Sequence, residues 1–349
     1  MNILCFSDIH FHHTHRFSHI TSDGYTVREL EHLSCADDII KICNEQDIDR
    51  IVFCGDLFGP VGDNISTQTL SAVCEFVDKL RKIKPLDMLV GNHDLSGSTN
   101  YKAVHKLIPF KYWDNVTVYD KPTIVDNFVY MPYCTSDEYA TSILENIQDK
   151  EDKIVFSHLE LKGINLGNGI ETTHGVSLAL LNKFKMVLQG HYHSGSSYGP
   201  NIKIIGSTQR LSFKDPGKAR NNIIIYDTLH NNMKRESFHC PNWLNFTDDN
   251  IADVFVEDLN NYVKVEVTSD LLLSDSIQAR LELFKGKDIH IDLTRLSFDK
   301  HSTAEINQDS ADEDEVSVIK QFIEKTDNTP EQKELLLQEG VRLLEKVKI

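Results

Sequence analysis

The chain has 349 residues, with 36 Lys and Arg against 53 Asp and Glu and a net charge of -17. Hydrophobic residues at 40% and charged residues at 26% are ordinary globular usage, which excludes a wholly disordered chain, and no apolar run reaches the ~20 residues of a membrane helix. The acidic balance excludes DNA or anionic-membrane binding through the overall field, but not a local basic site, a metal-bridged phosphate or a DNA-binding partner.

The first element is an apolar run, Ile3–Phe6, which meets Ser7-Asp8 at once and is too short for a signal peptide. Similar short, partly β-branched runs follow at Ile51–Cys54, Met88–Val90, Phe128–Met131, Ile154–Phe156, Met186–Leu188, Ile202–Ile205 and Ile223–Tyr226, and read as buried strands. Helical patterns at Cys35–Gln46 and Thr67–Lys82 lie between them, so residues 1–240 predict an α/β layered domain.

Residues 241–258 read as a connector. A strand at Tyr262–Val267, a helix at Ser274–Lys285 and a strand at Asp288–Arg295 then make a small β-α-β cap within 241–298. It is too small to stand alone and is expected to pack on the main domain. Residues 299–314 form an acidic linker. A helix pair at 315–349 carries Val316, Ile319, Phe322 and Ile323, then Leu337, Val341, Leu344 and Val347, with a capping box at Thr329-Pro330-Glu331-Gln332. The 7 cysteines are odd in number and form no Cys-x-x-Cys pair, which fits a reduced, cytoplasmic protein.

Five of the segments share one layout, an apolar strand followed by polar residues of metal-binding type. They are Ser7-Asp8-Ile9-His10, Gly55-Asp56-Leu57, Gly91-Asn92-His93-Asp94, Ser157-His158 and Gly190-His191-Tyr192-His193. Strand ends converge at the carboxyl edge of α/β sheets. Any one cluster alone says little; five in succession point to one site. Carboxylates, imidazoles and an amide oxygen without thiolate favour Mn, Fe or Zn over Mg or Ca alone. The donors are too many for one ion, and two ions sharing a carboxylate, about 3.5–4 Å apart, fit the clamp used on phosphoryl centres.

This series resembles the calcineurin-like metallophosphoesterases over about residues 1–230. The resemblance implies a four-layer β-sandwich flanked by helices. It implies that Asp8, His10 and His193 hold one ion, that Asn92, His158 and His191 hold the other, and that Asp56 bridges them. His93 would not bind metal but would contact the scissile phosphate and protonate or stabilise the leaving oxygen. Mn is the expected metal, with Mg, Fe or Zn as alternatives.

A narrower resemblance covers nearly the whole chain. Gly55-Asp56-Leu57-Phe58, His158-Leu159-Glu160-Leu161-Lys162-Gly163, Thr173-His174-Gly175 and Gly206-Ser207-Thr208-Gln209-Arg210-Leu211-Ser212-Phe213 are similar to SbcD-type (meiotic recombination eleven) DNA-repair nucleases, above all the recombination endonuclease subunit of large tailed bacteriophages. It implies a homodimer and an exo- or endonuclease acting in DNA repair, recombination and replication. It also implies a partner, an SMC-like coiled-coil ATPase gripped by residues 315–349. A phage origin would put the protein in the host-cell cytoplasm. One departure stands out: many relatives carry Asp or His after Gly-Asp-Leu-Phe, to assist the catalytic histidine, where this chain has Gly59-Pro60. Either Asp63 substitutes or His93 works with a weaker partner.

Competing readings are a small-molecule or cyclic-nucleotide phosphoesterase on the same fold, and a non-catalytic regulator of the ATPase. His12, His13, His15 and His19 read as a solvated loop. Arg210, Lys214, Lys218 and Arg220 are either a solvated loop or a phosphate contact. Leu70, Val73 and Val77 in Thr67–Lys82, with Tyr101–Leu107, are either a dimer face or core.

Overall fold

A computed structural model describes residues 1–13, 18–59, 64–96, 104–165, 171–211, 222–241, 243–247, 262–266, 323, 329–330 and 332–338. In order it forms β1 (Asn2–Phe6), α1 (Val27–Glu45), β2 (Arg50–Phe53), α2 (Thr67–Arg81), β3 (Leu86–Leu89), β4 (Val116–Tyr119), β5 (Thr123–Val125) and β6 (Phe128–Met131). Next come α3 (Asp137–Asn146), β7 (Ile154–Ser157), β8 (Leu161–Lys162), β9 (Val176–Ser177), α4 (Leu178–Leu181) and β10 (Met186–Gln189). The series closes with β11 (Ser196–Tyr198), β12 (Ile202–Ile204), β13 (Ile223–Asp227), β14 (Asn232–Glu236), β15 (Trp243–Thr247) and β16 (Tyr262–Glu266).

Two six-stranded sheets result, in the orders β14-β13-β1-β2-β3-β4 and β11-β12-β10-β7-β6-β5. Strands β1 to β4 run parallel, as do β6, β7, β10 and β12, while β13, β14, β11 and β5 add antiparallel pairings. Strand side chains alternate between faces, so each strand must be apolar twice over. Ile3 and Cys5 of β1 pack with Phe156 and Leu188 between the sheets. Leu4 and Phe6 turn outward into a core with Ile39 of α1 and Phe76 of α2. Ala140 and Leu144 of α3 cover the outer face of the second sheet with Val155 and Val187. The four layers are thus helix, sheet, sheet and helix, as expected.

Helix α1 begins eight residues before the expected Cys35. Thr26 caps it, accepting from Glu29 N while the Glu29 carboxylate accepts from Thr26 N. The early turns bury Arg28, Glu29 and His32, so apolar periodicity does not reveal them. In α2, Val73 and Val77 belong to the core and Leu70 stays exposed. Two of the three residues weighed for a dimer face are therefore spent inside the chain. Residues 101–103 of the companion segment lie outside the described residues.

The expected connector contains a strand, β15, paired in parallel with β16. Trp243 and Tyr262 stack with centroids 4.5 Å apart, and the Arg28 guanidinium sits 5.2 Å from both rings. The Tyr262 hydroxyl donates to Glu31 at 2.7 Å. A cation over two desolvated aromatic faces is a strong local tie, and it fastens this strand pair to α1. The cap helix at Ser274–Lys285, the strand at Asp288–Arg295 and the linker at 299–314 lie outside the described residues.

Residues 1–294 and 295–349 are separate compact units. In the second, Thr329 N donates to Gln332 Oε1 at 2.9 Å and Gln332 N to Thr329 Oγ1 at 3.4 Å, which is the expected capping box. Residues 332–338 are helical. Of the first helix only Ile323 is described, and it is buried. Among the described residues no helix is long and apolar enough to cross a membrane.

Candidate metal centre

The five polar clusters leave the carboxyl ends of β1, β2, β3, β7 and β10, three strands of one sheet and two of the other. The site therefore sits where the two sheets meet, not in a crevice of one. Backbone bonds carry the strand pairing into the turns: Asp8 N donates to Gly55 O at 3.0 Å, His158 N to Met131 O at 2.9 Å and Gly190 N to Ser157 O at 2.9 Å. Asp8, His10, Asp56 and His191 adopt φ of 55, 58, 61 and 72°. The left-handed region costs a non-glycine residue roughly 1–2 kcal/mol, and strain of this kind concentrates at functional sites.

All eight singled-out residues come together. Donor atoms of Asp8, His10 and His193, of His10, Asp56 and His93, and of Asp56, His158 and His191 form three sets, each within 4.8 Å. Asp56 Oδ2 lies 3.7 Å from His10 Nε2 and 3.2 Å from His158 Nε2. Asn92 Oδ1 lies 3.1 Å from His158 Nε2 and 3.0 Å from His191 Nδ1. Atoms that each bind a cation at about 2.1 Å stand roughly 3–4 Å from one another, so these spacings fit a metal.

The unsatisfied atoms fit it too. Asp8 Oδ1 and His10 Nε2 are buried without hydrogen-bond partners, a costly state that a cation relieves. The His158 Nδ1 donates to the Cys54 carbonyl at 2.6 Å. A carbonyl only accepts, so Nε2 is the nitrogen that faces Asp56 and Asn92, and it would give up its proton on taking a cation. Burial drives the His10 and His191 imidazoles down to about 3, leaving them neutral as ligands must be. Burial raises the Asp56 carboxyl, but His158, His10 and His93 outweigh it and hold the group well below the usual carboxylate range. His158 answers in kind: burial disfavours its charge, yet Asp56 lifts it to about 9.

His93 N donates to Asp56 Oδ1 at 2.8 Å, and His93 Nδ1 donates to the Gly59 carbonyl at 2.7 Å. The missing acidic partner of the histidine is thus replaced by an uncharged backbone oxygen; Asp63 lies outside the described residues. This oxygen fixes the tautomer and orientation of the ring without adding charge. A side chain on Gly59 would collide with His12.

Asp94 has its two carboxylate oxygens taken up by backbone N–H groups. Buried, it accepts from the backbone N–H of Asp56, Leu57, Phe58 and Gly91 at 2.9–3.0 Å. It clamps the second strand-end turn to the third. The signal was its place beside a ligand set already complete. Gly91 is required for a different reason, because a Cβ there would overlap Asp56 Oδ1 and Asp56 N. Gly91→Ala should lower the unfolding free energy by roughly 1–3 kcal/mol and displace Asp56. An unchanged urea midpoint would contradict this close packing.

Around the site, His13 is not solvated: its Nδ1 meets the buried Glu29 carboxylate at 2.9 Å, and His12 is half-buried. His15 lies outside the described residues. Arg210 donates to the Trp243 carbonyl at 2.6 Å, while Lys214, Lys218 and Arg220 lie outside.

A two-sheet sandwich with these donors at five strand ends defines a metallophosphoesterase. The calcineurin-like phosphoesterase family matches residues 1–195, over half of the chain, and the chain belongs to it. It is 30% identical over 207 residues to a protein of Invertebrate iridescent virus 6 named as a phosphoesterase, 244L, across 56% of this chain and 71% of the relative. It is 30% identical over 178 residues to exonuclease subunit 1 of Enterobacteria phage T4, across 50% of this chain and 51% of that subunit, about half of its length. Among solved structures, a purple acid phosphatase from yellow lupin (Lupinus luteus) seeds is similar with a TM-score of 0.41 at 12% identity, over 67% of this chain and 52% of that one.

Proposed function

We propose that the chain is a metal-dependent DNA nuclease of the SbcD type, the nuclease subunit of a complex with an SMC-like coiled-coil ATPase. The observation that carries the reading is that three donor sets overlap, His10 belonging to two and Asp56 to two. Shared donors of this kind suit two adjacent cations. Asp8, His10 and His193 would hold one, Asn92, His158 and His191 the other, and Asp56 would be shared between them.

Divalent cations, Mn first, supply an activated water and neutralise charge on the phosphate oxygens. The chain does the rest. Water adds to phosphorus, the P–O ester bond breaks, and the departing oxygen takes a proton from His93 Nε2 while the water's spare proton goes to solvent. The Gly59 carbonyl holds the Nδ1 proton, so Nε2 is the nitrogen that takes up a proton from solvent, gives it to the departing oxygen and is reprotonated by solvent for the next turnover.

DNA is favoured as substrate by the likeness to an exonuclease subunit and by the motif resemblance. The net charge of -17 leaves the chain without a field to gather DNA. A DNA-binding ATPase, held by residues 315–349, would bring it. A homodimer belongs to the same reading, with Leu70 as the exposed apolar residue of α2.

The experiment is copurification from cells with untagged chain, followed by a Mn-dependent assay on linear and single-stranded DNA. The assay is run with and without what copurifies, beside p-nitrophenyl phosphate. DNA cleavage that the copurifying ATPase enhances is expected. Hydrolysis of the monoester with DNA left intact would replace this reading with the small-molecule one.

A further inference from the structure

His93 is held at its N–H, at its ring and at its carbonyl. The backbone N–H donates to Asp56 Oδ1 at 2.8 Å, Nδ1 donates to the Gly59 carbonyl at 2.7 Å, and the His93 carbonyl accepts from Lys106 Nζ at 2.9 Å. The third bond comes from a residue outside every strand-end cluster.

Lys106 is built into the turn that carries His93. Leu95 pairs antiparallel with His105, which brings the chain back to the third strand end. Lys106 N then donates to the Asp94 carbonyl at 2.8 Å. The residue therefore grips two successive carbonyls, one with its main chain and one with its ammonium. The half-buried ammonium also lies 5.7 Å from the Phe58 ring centroid, and Phe58 precedes the glycine whose carbonyl holds the imidazole. One side chain thus meets both the backbone of His93 and the segment that orients its ring.

The turn's own bonds, Asp94 N to Gly91 O at 3.3 Å and Leu95 N to Asn92 O at 3.4 Å, are long. Neither engages the His93 carbonyl. A charge-assisted bond is roughly twice as strong as a neutral one. A proton donor must stand within hydrogen-bond reach of the oxygen it serves, and a displacement of about 1 Å can cost about 10²-fold in rate.

We propose that Lys106 is a positioning residue for the acid: its ammonium fixes the His93 carbonyl so that Nε2 stays aimed at the departing oxygen. It acts through His93 and not on the phosphate. The inference rests on His93 as the proton donor of the phosphodiesterase reading, and it deepens that reading.

The test compares Lys106→Met, Lys106→Arg and His93→Ala in the full chain on DNA and on bis(p-nitrophenyl) phosphate, a diester whose leaving group needs little protonation. Lys106→Met should lower kcat on DNA about tenfold or more, and on the activated diester less than about threefold, with KM and metal content unchanged. Lys106→Arg, which keeps a cationic donor, should restore most of the rate. In the His93→Ala background Lys106→Met should cost nothing further. If Lys106→Met does not fold, Lys106→Gln, a neutral donor, should show the same pattern with a smaller loss. A rise in KM at unchanged kcat would make Lys106 a phosphate contact. Equal losses on both diesters, or a loss that persists beside His93→Ala, would make it merely structural. Either result overturns the proposal. Equal losses on both diesters in His93→Ala, or DNA left intact by wild type, would instead reject the reading beneath it. A leaving-group effect in His93→Ala with none in Lys106→Met would reject the role of Lys106 alone.

Discussion

Asp56→Ala should cost the protein both its cations and its activity. Asp56 Oδ2 stands between His10 Nε2 and His158 Nε2 at 3.7 and 3.2 Å, so it is placed to serve both positions. Its second oxygen accepts from His93 N, so the same change also loosens the catalytic turn. Altering groups that merely orient metal ligands costs about 10–100-fold, and removing the bridging ligand should cost more than about 10²-fold. Metal analysis after dialysis should find fewer than one ion per chain. Full metal retention in Asp56→Ala would dismiss Asp56 as the bridge.

His93→Ala should separate the two losses. Its imidazole leans edge-on against His10, with centroids 4.7 Å apart, yet its Nδ1 is committed to Gly59. Removing the proton donor should lower turnover by ~10²–10⁴-fold. Asp56, Asn92, His158 and His191 stay in place, so metal content should match wild type. Substrates with a good leaving group need little protonation, and p-nitrophenyl esters should lose less than DNA does. Metal loss equal to that of Asp56→Ala would make His93 a ligand and overturn its assignment.

The site was legible because its signal is local. A β-branched or aromatic run that stops at Asp, His or Asn marks a strand end, and β1, β2, β3, β7 and β10 each end that way. Which sheet each strand joins is a long-range property, and no window of sequence carries it. Groups that act through the backbone were hidden for a related reason: the Gly59 carbonyl has no side chain to read, and Asp94 resembles a ligand until its four N–H partners are seen. Edge strands escaped notice because water covers one side of them. β14, Asn232–Glu236, is mostly polar and shows no alternation. The start of α1 escaped because its buried residues are Arg28, Glu29 and His32, whose partners lie in distant parts of the chain, such as Thr69 and Gln209. β15 fell inside an apparent connector, and only its pairing with β16 and the Trp243–Tyr262 stack over Arg28 make it a strand.

Electron paramagnetic resonance of the full chain titrated with Mn tests the two-cation centre most directly. Two ions sharing the Asp56 carboxylate should couple magnetically, and the titration should saturate at two per chain with a spin-coupled spectrum. Saturation at one ion per chain, with the spectrum of an isolated Mn, would contradict the account.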